Sequence, residues 1–455
     1  MSTVSKPRLD SLHRKDDKDY ECILSEIERF VGMTTKDLMD YFRLHPQDGL
    51  CTVPRPNGGT LPFTRAGQRR FLQVATRGLD AIGPEAWKYD VARVMGALKS
   101  EFMSALVGHA NITVKNAHDI FERALLASAS DHRELVHYIP CIVVGHWKTQ
   151  VFTIGPVQFV YRERFLKENE SALRARPRSA VGRDWTLEEL ETFFSQFLWV
   201  ASISVPACDE SCSKERARRV VQRALDIFKL FVGSRRASHV RQAYDLRSQG
   251  VSSYLVSSPQ GEFSVGYRRA TYDAVLNDDW YEISEWETWK LAEDIVQREF
   301  NPLSPLTQPE SKFISGLEWH GDAISEPNPQ SRVLKFWTAI EQTLSNSFHG
   351  DSVKRAALLS CGTPAGFSET FKRYDALYGK RASVLHGLKS PSRSVEEKRF
   401  ALDVEKISKS VLLNFLLMLK ALRARGNLTA AAVDSEFKRR LQLCKSARPA
   451  NSGSR

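Results

Sequence analysis

Residues 332–345, RVLKFWTAIEQTLS, decide the fold of the last third of the chain. Val333, Phe336, Trp337, Ile340 and Leu344 recur at steps of three and four, the spacing that gathers side chains on one face of an α-helix. Ser325–Pro329, SEPNP, closes the preceding segment and opens this helix with proline. Glu341 follows Ile340 at the edge of the apolar face, where a carboxylate requires a cationic or hydrogen-bonding partner.

Working outward, a shorter helix is expected over Asp351–Ser360, stopped by Cys361-Gly-Thr-Pro364. A third follows in residues 367–387, FSETFKRYDALYGKRASVLHG, with Phe367, Phe371, Tyr374, Leu377, Tyr378 and Leu385 at helical spacing and Gly387 as its cap. Gly379 is expected to permit close packing there. Ser394-Val-Glu-Glu397 reads as a capping box that starts a long helix to about Arg423, with Phe400, Val404, Ile407, Val411, Phe415 and Leu419 facing inward. Four helices joined by short connections predict a bundle.

These segments resemble the Apea-like HEPN family, whose hallmark is an arginine, four to six residues, and a histidine. Here the hallmark is Arg381-Ala-Ser-Val-Leu-His386, followed by Gly387, and the resemblance covers roughly residues 328–425. Many members carry a polar residue directly after the arginine, where this chain has Ala382. Arg8 and His13 match the same spacing, but in a polar tail with no helix before them; the setting at the end of an aromatic helix selects Arg381 and His386. Residues five apart on a helix differ by about 140° in direction, so the pair shares a pocket only because arginine is long and His386 sits at the helix end.

The resemblance implies a metal-independent endoribonuclease, needing no cofactor. The RNA 2′-hydroxyl attacks the adjacent phosphate, His386 transfers a proton, and Arg381 stabilises the charge developing on phosphorus. Glu341 and Ser383 are supporting candidates. The family further implies a homodimer that brings two such pairs into one cleft, and by analogy a bacterial defence or toxin setting. Two alternatives stay open: a noncatalytic HEPN module that dimerises and binds RNA or a protein, and a purely structural role in which His386 caps the helix and Arg381 pairs with Glu341 or Asp375. Tyr374 and Tyr378 read as core residues.

The remainder is expected to be mainly α with a small β-sheet or hairpin. Residues 1–18 read as a flexible tail, 19–166 as an α+β region, 167–184 as a linker, 185–324 as a second mainly helical region, and 426–455 as a basic tail. Within the first region, Tyr20–Phe42 is amphipathic, Pro54–Pro62 reads as a loop, and 68–126 repeats apolar residues at helical spacing. Tyr138–Phe165, rich in β-branched and aromatic residues, predicts strands, as does Tyr254–Tyr267 around Pro259-Gln-Gly261. Trp280, Trp286 and Trp289 suit base stacking in principle, but their spacing with Leu291 and Ile295 favours burial.

At 455 residues the chain is long for a single core, and its 42% hydrophobic content is that of a globular protein. The N-terminus lacks the apolar segment of a secretory signal, and the longest apolar run, Val411–Leu419, is too short to span a bilayer, so a cytoplasmic location with no membrane partner is expected. Seven scattered cysteines read as reduced thiols; Cys208 and Cys212 lack the further ligands that a zinc site requires. The formal charge of +11 suits an anionic partner such as RNA, and Arg216, Arg218, Arg219 and Arg223 are candidates for a basic patch.

Overall fold

The structure, a computed structural model, describes residues 14–31, 33–54, 60–107, 114–143, 150–175, 178–179, 188–189, 197–237, 240–242, 254–266, 281–301, 304–326, 328–345, 349–385 and 394–447. The chain divides into two units: residues 1–135 with 204–216, and residues 136–203 with 217–455. The fold is mainly α, as the sequence predicts.

In the first unit the amphipathic N-terminal stretch forms two helices, α1 (Arg14–Val31) and α2 (Thr35–Leu44). The break is set by Thr34, whose hydroxyl accepts from the Asp37 amide while the Asp37 carboxylate accepts from the Thr34 amide. Of the segment Pro54–Pro62, read as a loop, residues 55–59 lie outside the described residues. Its two ends belong to paired antiparallel strands, β1 (Leu50–Pro54) and β2 (Thr60–Thr64). Helices α3 (Arg65–Ile82), α4 (Val91–Val107) and α5 (Val114–Ala129) follow. Tyr20, Ile27, Phe63, Phe71, Phe102 and Phe121 meet in one core. A Cβ at Gly78 would fall 2.1 Å from the Phe121 ring, so only glycine lets α3 and α5 approach this closely.

The second unit contains most of an eight-stranded sheet in the order β4-β5-β7-β3-β9-β10-β6, with β8 against β3. Its strands are β3 (Arg133–Ile142), β4 (Val151–Ile154), β5 (Val157–Tyr161), β6 (Arg178–Ser179), β7 (Trp199–Cys208), β8 (Arg241–Gln242), β9 (Tyr254–Ser257) and β10 (Phe263–Gly266). Of the strands expected in Tyr138–Phe165, β4 and β5 pair antiparallel, but residues 162–165 are helical; the strands expected around Pro259-Gln-Gly261 are present as an antiparallel pair. Strand β7 lies in a stretch that the sequence reading made helical. Its Val200, Ile203 and Val205 are β-branched and buried, and pairing with β5 outweighs the local ambiguity.

Helices α6 (Arg162–Glu168), α7 (Glu170–Arg174), α8 (Glu210–Val232), α9 (Ser234–Ala237) and α10 (Glu287–Phe300) lead to a helical layer. That layer comprises α11 (Gln308–Ser325), α12 (Pro329–Leu344), α13 (His349–Ser360), α14 (Phe367–Leu385), α15 (Ser394–Ala424) and α16 (Ala430–Ser446). Helix α12 is the segment from which the reading began. Asn328 caps it, its Oδ1 accepting from the amides of Gln330 and Ser331, and Pro329 occupies the first turn, where no amide hydrogen is needed. Its apolar face packs on α11 and α15, burying Val333, Phe336, Trp337, Ile340 and Leu344. Each such large side chain, fully buried, contributes about 1.5–3 kcal/mol.

Close approach of α11 to α12 depends on Gly316, where a Cβ would lie 1.9 Å from Thr343 Oγ1. Gly379 shows the opposite: among the described residues nothing lies within 4 Å of its Cβ position, so the close packing expected there is not seen at this glycine. Residues 430–446, read from the sequence as part of a basic tail, form helix α16. Val433, Phe437 and Cys444 give it a buried stripe that outweighs its surface charge.

Candidate functional site

Arg381 lies near the C-terminal end of α14 and reaches across to α12. Its Nη1 donates to Glu341 Oε1 at 2.7 Å and to the Tyr378 hydroxyl oxygen at 3.0 Å. The Tyr378 hydroxyl in turn donates to Glu341 Oε1 at 3.2 Å. Nη2 stands 3.5 Å from Glu341 Oε2, at the limit of a hydrogen bond. The three side chains thus form a closed polar triangle, assembled because Tyr378 and Arg381 are three residues apart on one helix face.

Apolar packing supports the triangle from below. The Trp337 ring, fully buried, meets the Tyr378 ring edge-on at 5.1 Å, and the Arg381 guanidinium lies 5.4 Å from the centre of that same tyrosine ring. Burial and the Glu341 charge raise the Tyr378 pKa, so the phenol stays protonated near neutral pH and keeps its donor. The side chains of Arg381 and Glu341 are 21% and 9% exposed, which leaves the guanidinium partly reachable while the carboxylate is nearly enclosed.

Glu341 also lines a polar cleft of about 330 Å³ between α11 and α12, with Gln308, Ser311, Lys312, Ser315, Gln342 and Ser345. Lys312 Nζ donates to the Ser345 carbonyl at 2.8 Å. Burial, with the Arg355 charge behind it, lowers the Lys312 pKa.

Of the residues singled out in the sequence, Arg381 and Glu341 are brought together, and Asp375 is exposed and not engaged with Arg381. Ser383 lies in the last turn of α14, but its side chain is outside the described residues, as is the whole of His386. Arg8 and His13 are likewise outside them. Tyr378 was read as core, because an aromatic at helical spacing carries no mark of its hydroxyl partners; the one available signal was its position a single turn before Arg381.

The other candidates sort differently. Trp289 is buried, 5.1 Å from the Phe231 ring, whereas Trp286 is half-exposed; Trp280 lies outside the described residues. Arg223, a member of the proposed basic patch, is buried and engaged by Glu318 at 2.7 Å, with Asp226 and Glu299 each at 3.7 Å, so it offers no charge to an outside anion. Burial pushes the Cys208 and Cys212 thiols up to about 11, which keeps both protonated near neutral pH. Among the described residues no group of three His, Cys, Asp or Glu side chains is disposed to hold a metal ion, and no helix is long and apolar enough to cross a membrane.

Comparison with known proteins adds no relative: no family model matches the chain, and neither does any curated protein or solved structure.

Proposed function

We propose that residues 328–425 are an HEPN domain of the Apea-like kind and that the protein is a metal-independent endoribonuclease using Arg381 and His386. The observation that carries this reading is the placement of Arg381, held by Glu341 and Tyr378 at a helix end five residues before a histidine. A guanidinium fixed on a partly exposed edge suits an RNA phosphodiester, since it stays charged throughout the reaction and offers parallel donors to two phosphate oxygens.

In the proposed reaction the 2′-hydroxyl oxygen attacks the adjacent phosphorus and gives up its proton. The bond from phosphorus to the 5′-oxygen breaks, and that oxygen takes a proton. His386 mediates proton transfer, and Arg381 offsets the extra negative charge on the phosphorane. The products are a 2′,3′-cyclic phosphate and a 5′-hydroxyl. Two domains related by a dimer axis would place two Arg–His pairs in one cleft, completing an otherwise sparse site.

One observation favours a second reading, a noncatalytic RNA- or protein-binding module: the Arg381–Glu341 pair is also what a structural strut between α14 and α12 requires. The substrate separates the two. The nuclease reading expects cleavage of an RNA oligonucleotide and none of the same sequence as DNA, which lacks the attacking hydroxyl. Cleavage of both, or of neither, counts against it.

A further inference from the structure

Tyr378 and Glu341 together use up both hydrogens of Arg381 Nη1, one going to each oxygen partner. The opposite edge of the guanidinium is left under-used. Nε is buried and, among the described residues, has no hydrogen-bond partner, and Nη2 has the 3.5 Å approach to Glu341 Oε2. Nε–H and the neighbouring Nη2–H point the same way from a planar group, which is the fork that binds two oxygens of one phosphate.

We infer that Tyr378 is a positioning residue that holds the Nε–Nη2 edge of Arg381 in reserve for a phosphodiester of the RNA strand. The inference rests on the reading of Arg381 as the phosphate-binding residue and assigns the device that keeps it available. Arginine and a carboxylate left to themselves favour two parallel bonds. Glu341 alone would draw Nη1 and Nη2 together onto its two oxygens. The Tyr378 hydroxyl opposes this by accepting from Nη1 and donating to Glu341 Oε1, which draws the guanidinium toward that oxygen and leaves Nη2 at 3.5 Å from Oε2. A phosphate that draws the partly exposed guanidinium outward gains, at Nε, a donor that has no partner among the described residues, and satisfying that unmet donor is what makes the exchange favourable.

The test uses the full chain and a 2′-O-methyl RNA oligonucleotide, whose blocked hydroxyls prevent cleavage, with affinity read by fluorescence anisotropy. Tyr378→Phe keeps the ring against Trp337 and removes only the hydroxyl. It should weaken binding about three- to tenfold, the effect of one lost hydrogen bond. The same change made in Arg381→Ala should have no further effect, because the hydroxyl acts only through the guanidinium. Equal binding by Tyr378→Phe and wild type, an equal loss in the Arg381→Ala background, or no binding by wild type would each overturn the inference. Wild type that binds with this coupling yet cleaves no RNA would instead overturn the nuclease and leave the positioning role of Tyr378 standing.

Discussion

Arg381 Nη1 lies 2.7 Å from Glu341 Oε1, a pairing that spans 40 residues of sequence and ties α14 to α12. Whatever else the pair does, it holds two helices of the bundle. Glu341→Ala leaves the guanidinium without its anion and Tyr378 without its acceptor. Losing one partner of a fully buried pair costs about 3–5 kcal/mol, and the partial exposure of Arg381 reduces this to about 1–3 kcal/mol. Urea unfolding of the variant beside wild type measures it, and an unchanged midpoint would show that the pair carries no stability.

Two buried groups in the same unit set opposing pH dependences. His320, with Nδ1 2.9 Å from Ser408 Oγ, is pushed by burial, and by the charges of Lys409 and Lys229, down to about 3. A depressed base is neutral in the native state while the unfolded chain protonates, so its stabilising contribution is present above 6.5 and is lost as pH falls toward about 3. Asp226 is lifted by burial to about 7 even with Lys229 and Arg223 beside it, so its contribution is present below 3.8 and is lost as pH rises through about 7. On acidification from pH 7 to 5, His320→Gln should therefore gain about 2 kcal/mol relative to wild type, and Asp226→Asn should shift the opposite way. Stability curves at the two pH values that run parallel for all three proteins would refute this assignment.

Gly316 on α11 and Gly379 on α14 should respond oppositely to alanine. A methyl at Gly316 would collide with Thr343 Oγ1 and press on the Ala339 carbonyl, at 1.9 and 3.0 Å. Separating α11 from α12 to relieve this should destabilise the protein by about 1–3 kcal/mol. At Gly379 the new methyl meets nothing within 4 Å among the described residues, and the helix gains about 0.5–1 kcal/mol from the lost backbone freedom of the unfolded chain. Thermal denaturation of the two variants orders them, and a stabilised Gly316→Ala would contradict the packing described for α11 and α12.

What the sequence made legible follows from how local each signal is. Helix α12 could be read directly, since Val333, Phe336, Trp337, Ile340 and Leu344 repeat at a period that only a helix turns to one side. Strand β7 could not, because a short apolar run such as Trp199–Cys208 fits a strand or a buried helix, and only its pairing with β5 decides. Helix α16 was hidden by its basic residues, which obscured the spacing of Val433, Phe437 and Cys444. At the site, a carboxylate beside Ile340 announced that Glu341 needed a partner, and Arg381 was among those available. The part played by Tyr378 was not legible, because its hydroxyl contacts are set by how α14 lies against α12.

Cleavage of total RNA by the purified full chain in EDTA, beside His386→Ala and followed by analysis of the product ends, tests the central claim most directly. The account predicts that wild type cleaves and leaves 2′,3′-cyclic phosphate ends, and that the variant loses at least about 100-fold in rate, the scale of a missing acid–base catalyst. Undiminished cleavage by His386→Ala, or intact RNA after incubation with wild type, would contradict it.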